Sequence, residues 1–181
     1  MYELFILGEL MDKPMHGYLL QYILGKVIGP NRKMSWGVLY PLIESLKKDG
    51  CITQEFPPHT GPGRPKKILR ITETGEQRFY MLMTQPMDYD QNTEDLFDVK
   101  LSNFHHIDIG EKITILEEYR GYLAFLREHL EENQTVVEQE AEIAEQEKES
   151  ILLVLTHRKK RLLADVNWVE QEITKLKEAN T

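Results

Sequence analysis

The stretch from Met34 to Thr72 constrains this chain most, because it sets a helix, a strand, a basic loop and a second strand in close succession. Leu39, Leu42, Ile43 and Leu46 follow the i, i+3, i+4, i+7 spacing, which predicts a helix with one stripe facing a core. Ser35, Gly37, Tyr40, Pro41, Ser45 and Lys48 fall on its other face, mostly small or polar. Ser35 reads as the N-cap, since a serine hydroxyl can accept from a free amide of the first turn. Gly50 follows the last turn, where a left-handed residue is easiest for glycine. Pro41 is the oddity: it has no N–H to donate and crowds the carbonyl of Gly37, which lacks a side chain and eases a bend.

Cys51 to Phe56 and Lys67 to Thr72 read as the two strands. Between them lies Pro57-Pro58-His59-Thr60-Gly61-Pro62-Gly63-Arg64-Pro65-Lys66-Lys67, whose prolines and glycines predict an extended loop without regular pairing. Arg64, Lys66, Lys67 and Arg70 bring four cations into seven residues with no acid among them. Such a tip suits a phosphate backbone or a minor groove. Alone it could be a solvated basic hairpin. Placed after that helix, it outlines a winged helix-turn-helix and a DNA reader.

Tyr40-Pro41-Leu42, in a helix that ends Leu46-Lys47-Lys48-Asp49-Gly50, resembles the signature of the PadR family. So do the upstream His16-Gly17-Tyr18 and the wing Gly63-Arg64-Pro65-Lys66-Lys67 followed by Ile71-Thr72 and Gly75. The resemblance covers residues 2–85, and the helical remainder is similar to the longer members that carry a C-terminal dimerisation domain. It implies a dimeric transcriptional regulator, usually a repressor, released from its operator by a small molecule. That effector would be aromatic or hydrophobic, such as a phenolic acid.

Charge opposes a DNA-binding reading until it is divided. Residues 1–85 carry 11 lysines and arginines against 8 acids, and residues 86–181 carry 11 against 22, so the net −8 splits into +3 and −11. The half with the wing is the basic half, as expected for a DNA-facing domain beside an acidic one that discourages non-specific adhesion. No apolar run is long enough to span a membrane, and the N-terminus has no basic region before its apolar stretch; the expected location is the cytoplasm. A single cysteine, Cys51, excludes an intramolecular disulfide and reads as a small core residue.

Around the central stretch, residues 2–11 predict a compact apolar helix with Phe5, Ile6, Leu10 and Met11 inward. His16 opens a second helix in which Leu19, Leu20, Ile23, Leu24, Val27 and Ile28 form a broad buried face, and Arg32-Lys33 adds a small basic cluster. Thr74 and Gln77 offer a capping box for a helix to Gln85, and Pro86 to Asn92 reads as a linker. His105-His106 invites a metal reading, but adjacent side chains rarely converge and no acid or cysteine cluster lies near in sequence. No metal or cofactor is therefore expected.

Asp108 and Glu111 propose a second capping box ahead of a long helix in which Leu116, Leu123, Leu130, Val137 and Ala144 recur every seven residues. Glu138 to Glu149 holds six glutamates and one lysine and reads as either a helical tail or a loose connection. From Ser150 another helix carries Leu155, Leu162, Val166, Val169, Ile173 and Leu176 on heptad positions, which favours helix packing within a hairpin or between subunits.

The fold expected is thus mainly α, in the α+β sense. A winged helix-turn-helix domain spans 1–85, a linker 86–92, and an all-helical, coiled-coil-like dimerisation and effector domain 93–181. Its partners would be double-stranded operator DNA, a second copy of the chain and a small aromatic effector. Groove contact falls to Ser35, Trp36 and Tyr40, backbone contact to Arg64, Lys66 and Lys67, dimerisation to the heptad series, and effector contact to Tyr122, Phe125 and Trp168. The alternative is an interaction scaffold with the same fold and no DNA. No nucleophile–base pair, carboxylate pair, phosphate loop or metal spacing marks an enzyme.

Overall fold

The computed structural model describes residues 1–27, 29, 35–56 and 67–180. It divides into two compact units, Met1–Asp108 and Ile109–Thr181.

The first unit is built around α1 (Tyr2–Asp12), whose Leu4, Phe5, Ile6, Leu7, Gly8 and Leu10 are all buried. A helix apolar on every side must be enclosed by its neighbours. Here those are α2 (Gly17–Val27), β2 (Ile68–Ile71), α4 (Glu73–Thr84) and α5 (Thr93–Ser102). Glu3, at the polar start of α1, takes Arg78 of α4 through two charge-assisted bonds, Nε to Oε1 at 2.7 Å and Nη2 to Oε2 at 3.1 Å. Only Leu20 and Leu24 of α2 are fully buried; Leu19, Ile23 and Val27 are half-exposed, so that helix buries a narrower stripe than its composition predicts.

Helix α3 (Trp36–Lys48) contains Pro41 and buries Leu39, Ile43 and Leu46, with Leu42 half-buried beside them. It ends as expected, with Gly50 at φ 71° and its N–H on the Lys47 carbonyl at 3.1 Å. β1 (Ile52–Glu55) then pairs antiparallel with β2, from Ile52 opposite Ile71 to Glu55 opposite Ile68. Met15 extends this pair on the other side, exchanging both backbone bonds with Leu69 at 3.1 and 2.9 Å.

The cap of α4 is Thr72 and not Thr74. Its hydroxyl oxygen accepts the Gly75 N–H at 3.1 Å while its proton goes to the Gly50 carbonyl at 2.6 Å, so one side chain joins the helix start to the turn after α3. Thr74 lies inside the helix. Gly75 is there because a Cβ would overlap the Cys51 carbonyl and Ile71.

Residues 86–92 are not a boundary between units. Met87 is buried, and the hydroxyl of buried Thr93 accepts the Asp90 N–H at 2.8 Å. The buried Lys100 of α5 reaches back to the Gln85 carbonyl at 2.6 Å. These bonds fold the segment, α5 and the 3-10 turn Phe104–His106 into the first unit, and the division falls at Asp108.

The second unit is an antiparallel hairpin of α6 (Ile109–Gln139) and α7 (Glu145–Ala179). Its cross-pairs run from Lys177–Glu117 at 2.8 Å to Lys159–Glu131 at 3.6 Å, closing towards the turn. The acidic stretch is the end of α6, a break at 140–144 and the start of α7, which begins at Glu145 and not Ser150. Ile115, Leu116, Tyr119, Tyr122 and Leu123 of α6 and Leu155, Leu162, Val169 and Ile173 of α7 are buried, whereas Leu130 and Val137 are half-buried and Ala144 is exposed. The apolar packing therefore weakens towards the turn. Among the described residues no helix is long and apolar enough to cross a membrane.

Gly75→Ala tests the junction on which the wing and α4 meet. Because the obstacle is a backbone carbonyl that cannot rotate away, overpacking should destabilise the chain by roughly 1–3 kcal/mol. Urea unfolding with an unchanged midpoint would show that the strand and helix separate freely at this point.

Candidate nucleic-acid interface

The N-terminal turn of α3 presents the residues expected to touch DNA. Ser35 stands at the cap with extended backbone (φ −73°, ψ 155°), and its carbonyl accepts the Val38 and Leu39 amides, each at 3.0 Å. Its hydroxyl makes no cap hydrogen bond, so the capping role expected of the side chain is carried by the backbone alone. Trp36 and Tyr40, one helical turn apart, stack at 5.2 Å between ring centroids with 29° between planes.

A third ring joins them from α2. Tyr18 stacks on Trp36 at 6.4 Å and 22°, giving a row Tyr18–Trp36–Tyr40 that spans two helices. The rings are 72%, 37% and 55% exposed. Tyr22, one turn after Tyr18, is also exposed, with the Lys26 ammonium 5.4 Å from its ring centroid. Large aromatics held side by side in water mark a contact surface more than a folding requirement. In the sequence Tyr18 stands out only as part of the His16-Gly17-Tyr18 motif; its place in the row depends on how α2 packs beside α3.

The row borders a cavity of about 350 Å³, lined by His16, Tyr18, Trp36, Tyr40, Lys67 and Leu69 among others. His16 ties this region together: its Nδ1–H donates to the Lys67 carbonyl at 2.9 Å, and its own carbonyl accepts the Leu19 amide at 2.9 Å. The entry role expected of His16 is thus joined to a second one, anchoring the base of the wing. Lys67 extends towards Phe56, its ammonium 6.0 Å from that ring's centroid. Arg64 and Lys66 lie outside the described residues, as do Arg32 and Lys33. Arg70 does not act as a free wing cation, because its Nε donates to Glu55 Oε2 across the strand pair at 2.8 Å.

The other expected sites lie in the second unit. Leu155, Leu162, Val169 and Ile173 are buried within the single chain, and Val166 and Leu176 are half-buried. A heptad stripe meets whichever helix lies beside it, and here α6 of the same chain does so. Leu153, Val154, Leu163 and Trp168 are the large apolar side chains α7 leaves exposed. Tyr122 is buried with its ring 5.8 Å from that of Tyr119, while Phe125 and Trp168 are 47% and 40% exposed. The three aromatics expected to meet an effector do not share one environment.

Three helices, an antiparallel strand pair and a fourth helix, with exposed aromatics on the first turn of α3, have the outline of a winged helix-turn-helix unit. Residues 6–80 match the model of the transcriptional regulator PadR-like family. The match lies wholly within the first unit. No curated protein matches the chain. Among solved structures, Bacillus subtilis PadR in complex with operator DNA is 19% identical, with 96% of each chain covered and a TM-score of 0.45. The same protein with p-coumaric acid gives 19% identity over 97% of this chain and 94% of that one, at a TM-score of 0.41. A PadR-like transcriptional regulator from Bacillus cereus is 23% identical over the whole of both chains, also at a TM-score of 0.41.

Cys51 sits in the turn between α3 and β1, with its carbonyl accepting the Thr72 amide at 3.0 Å, and its environment argues for a structural part. It is buried, and burial pushes its thiol above the ordinary range, with Glu3 and then Asp49 adding to the effect. The thiolate is the reactive form, so a raised pKa protects the sulfur at neutral pH. Modification by a thiol reagent should be roughly tenfold or more slower than for free cysteine and should reach the ordinary rate in denaturant. Fast modification of the folded chain would contradict this and make Cys51 a candidate redox-active residue.

Proposed function

We propose that this chain is a homodimeric, sequence-specific transcriptional repressor that leaves its operator when a small aromatic compound binds. The observation that carries the DNA-contact part is the exposed Tyr18–Trp36–Tyr40 row at the start of α3, inside a PadR-like domain that is the basic half of the chain. The α3 turn enters a major groove, where Trp36 and Tyr40 meet base edges and thymine methyls and Ser35 meets phosphate or base. Tyr18 contacts the adjoining backbone. Lys67, with Arg64 and Lys66, neutralises phosphates beside it.

Two copies are needed to place two such helices in successive major grooves, about 34 Å apart on one face of B-DNA. The stripe of Leu155, Leu162, Val169 and Ile173 is already used within the chain, so we assign the subunit contact to the exposed face of α7 that carries Leu153 and Trp168. The effector reading rests on the family resemblance. Whatever the compound, it must favour the DNA-incompetent arrangement, since equal affinity for both arrangements shifts nothing. The regulator would act in the cytoplasm, where its operator lies.

Fluorescence anisotropy on a duplex from the promoter region of its own gene tests the reading across a salt series. Arg64→Ala, Lys66→Ala and Lys67→Ala together should weaken binding and flatten the slope of log K against log salt by about 0.9 for each phosphate the variant no longer neutralises. Tyr40→Ala should weaken binding to that duplex more than to random sequence. An intact chain that binds neither duplex would leave the interaction-scaffold alternative, and an unchanged slope in the triple variant would move the DNA-facing surface elsewhere.

A further inference from the structure

The first unit holds a cluster that DNA binding does not use. Asp12, the last residue of α1, lies beside His105 and His106 of the 3-10 turn, 93 residues away in the case of His105. The two imidazoles, adjacent in sequence, do converge: His105 Nε2 is 2.9 Å and His106 Nε2 3.1 Å from the same Asp12 oxygen, Oδ1. Their rings lie 3.9 Å apart between centroids. All three ligand atoms fall within 4.8 Å of one another.

One carboxylate oxygen facing two imidazole nitrogens is an uneven hydrogen-bonding arrangement. His105 Nε2 bonds to it. His106 Nε2 is buried and has no hydrogen-bond partner, although the oxygen is close. A buried nitrogen left in this state costs stability and calls for a reason. A cation at the point where the three atoms converge supplies one, because it would take the lone pair of each.

The dimensions fit. Zinc bonds of about 2.0–2.2 Å in a tetrahedron set neighbouring ligand atoms roughly 3.4 Å apart. The two nitrogen–oxygen separations are a few tenths of an ångström shorter, which small side-chain rotations would open. Glu9 stands one turn before Asp12 on the same face of α1, within electrostatic reach of Asp12 and His105, and can offer a fourth oxygen. Two imidazoles with carboxylates suit a late first-row divalent ion better than magnesium or calcium, which take oxygen sets.

We propose that Asp12, His105 and His106, with Glu9 or water completing the coordination, bind one divalent transition-metal ion of the zinc type and thereby fasten the end of α1 to the 3-10 turn. Linear spacing does not reveal the site, because its acid is remote along the chain. Binding does not depend on the DNA-binding reading, and it can be measured without DNA.

Isothermal titration of the full chain with zinc chloride should show one ion bound per chain, and zinc should raise the thermal midpoint. Asp12→Ala and His105→Ala replace exposed side chains, and each should weaken binding roughly tenfold or more and abolish the thermal shift. His106→Ala should do the same, but His106 also packs edge-on against Phe79 at 5.6 Å, so circular dichroism must show that this variant is folded before its titration counts. Magnesium chloride should give no comparable heat. Zinc binding of equal strength in the Asp12 and His105 variants would assign the ion to other surface histidines and overturn the proposal. Absence of binding to the wild-type chain, or equal binding of magnesium, would overturn it too.

Discussion

The enclosure of α1 is the constraint on which the first unit depends. Its buried Leu4, Phe5, Ile6, Leu7 and Leu10 leave no face for water, so α2, β2, α4 and α5 must all close on it. Each such side chain contributes roughly 1.5–3 kcal/mol by area removed from water, an upper figure given that unfolded chains are already partly compact. The ends of α1 carry the polar fastenings. Glu3 holds Arg78 of α4 at one end, and Asp12 meets the histidine pair at the other. A helix that is apolar in the middle and charged at both ends therefore sets the positions of the elements that support the proposed DNA-facing surface.

That surface follows from two smaller constraints. Thr72 and Gly75 press the start of α4 against the Gly50–Cys51 turn, which fixes where α3 ends and β1 begins. His16 and Met15 hold the base of the wing from the opposite side, through the Lys67 carbonyl and the Leu69 backbone. Between these anchors Leu39, Ile43 and Leu46 turn inward and Trp36 and Tyr40 turn outward. Local ion pairs then decide which charges remain available. Lys47 is taken by Glu44 and Arg70 by Glu55, whereas Lys67, also on the wing, lies by the Phe56 ring.

The winged-helix outline is legible in the sequence because its signals are local. Periodicity from Leu39 to Leu46, the left-handed Gly50 and the alternation of strand and basic loop each depend on neighbours a few residues away. The cap of α4 is misplaced by the local pattern, since Thr74 and Gln77 fit a capping box while the tertiary bond from the Thr72 hydroxyl to the Gly50 carbonyl holds Thr72 at the cap. Residues 86–92 look like a linker by composition, yet Met87, Thr93 and Lys100 fasten them into the fold through tertiary contacts that composition does not encode. Heptads on α7 show that it packs against a helix but not whose helix. Tyr18 and the Asp12–His105–His106 cluster meet the same limit, since both arise where elements distant in sequence are brought side by side.

The central claim is that the turn at Trp36–Tyr40 and the exposed side of α2 form the surface that meets DNA. Hydrogen–deuterium exchange of the full chain, with and without the promoter duplex, tests it residue by residue. Slower exchange is expected at Tyr18–Tyr22 and Trp36–Tyr40, with α6 and α7 protected only where subunits meet. Slowing confined to the second unit while the aromatic turn exchanges unchanged would contradict it.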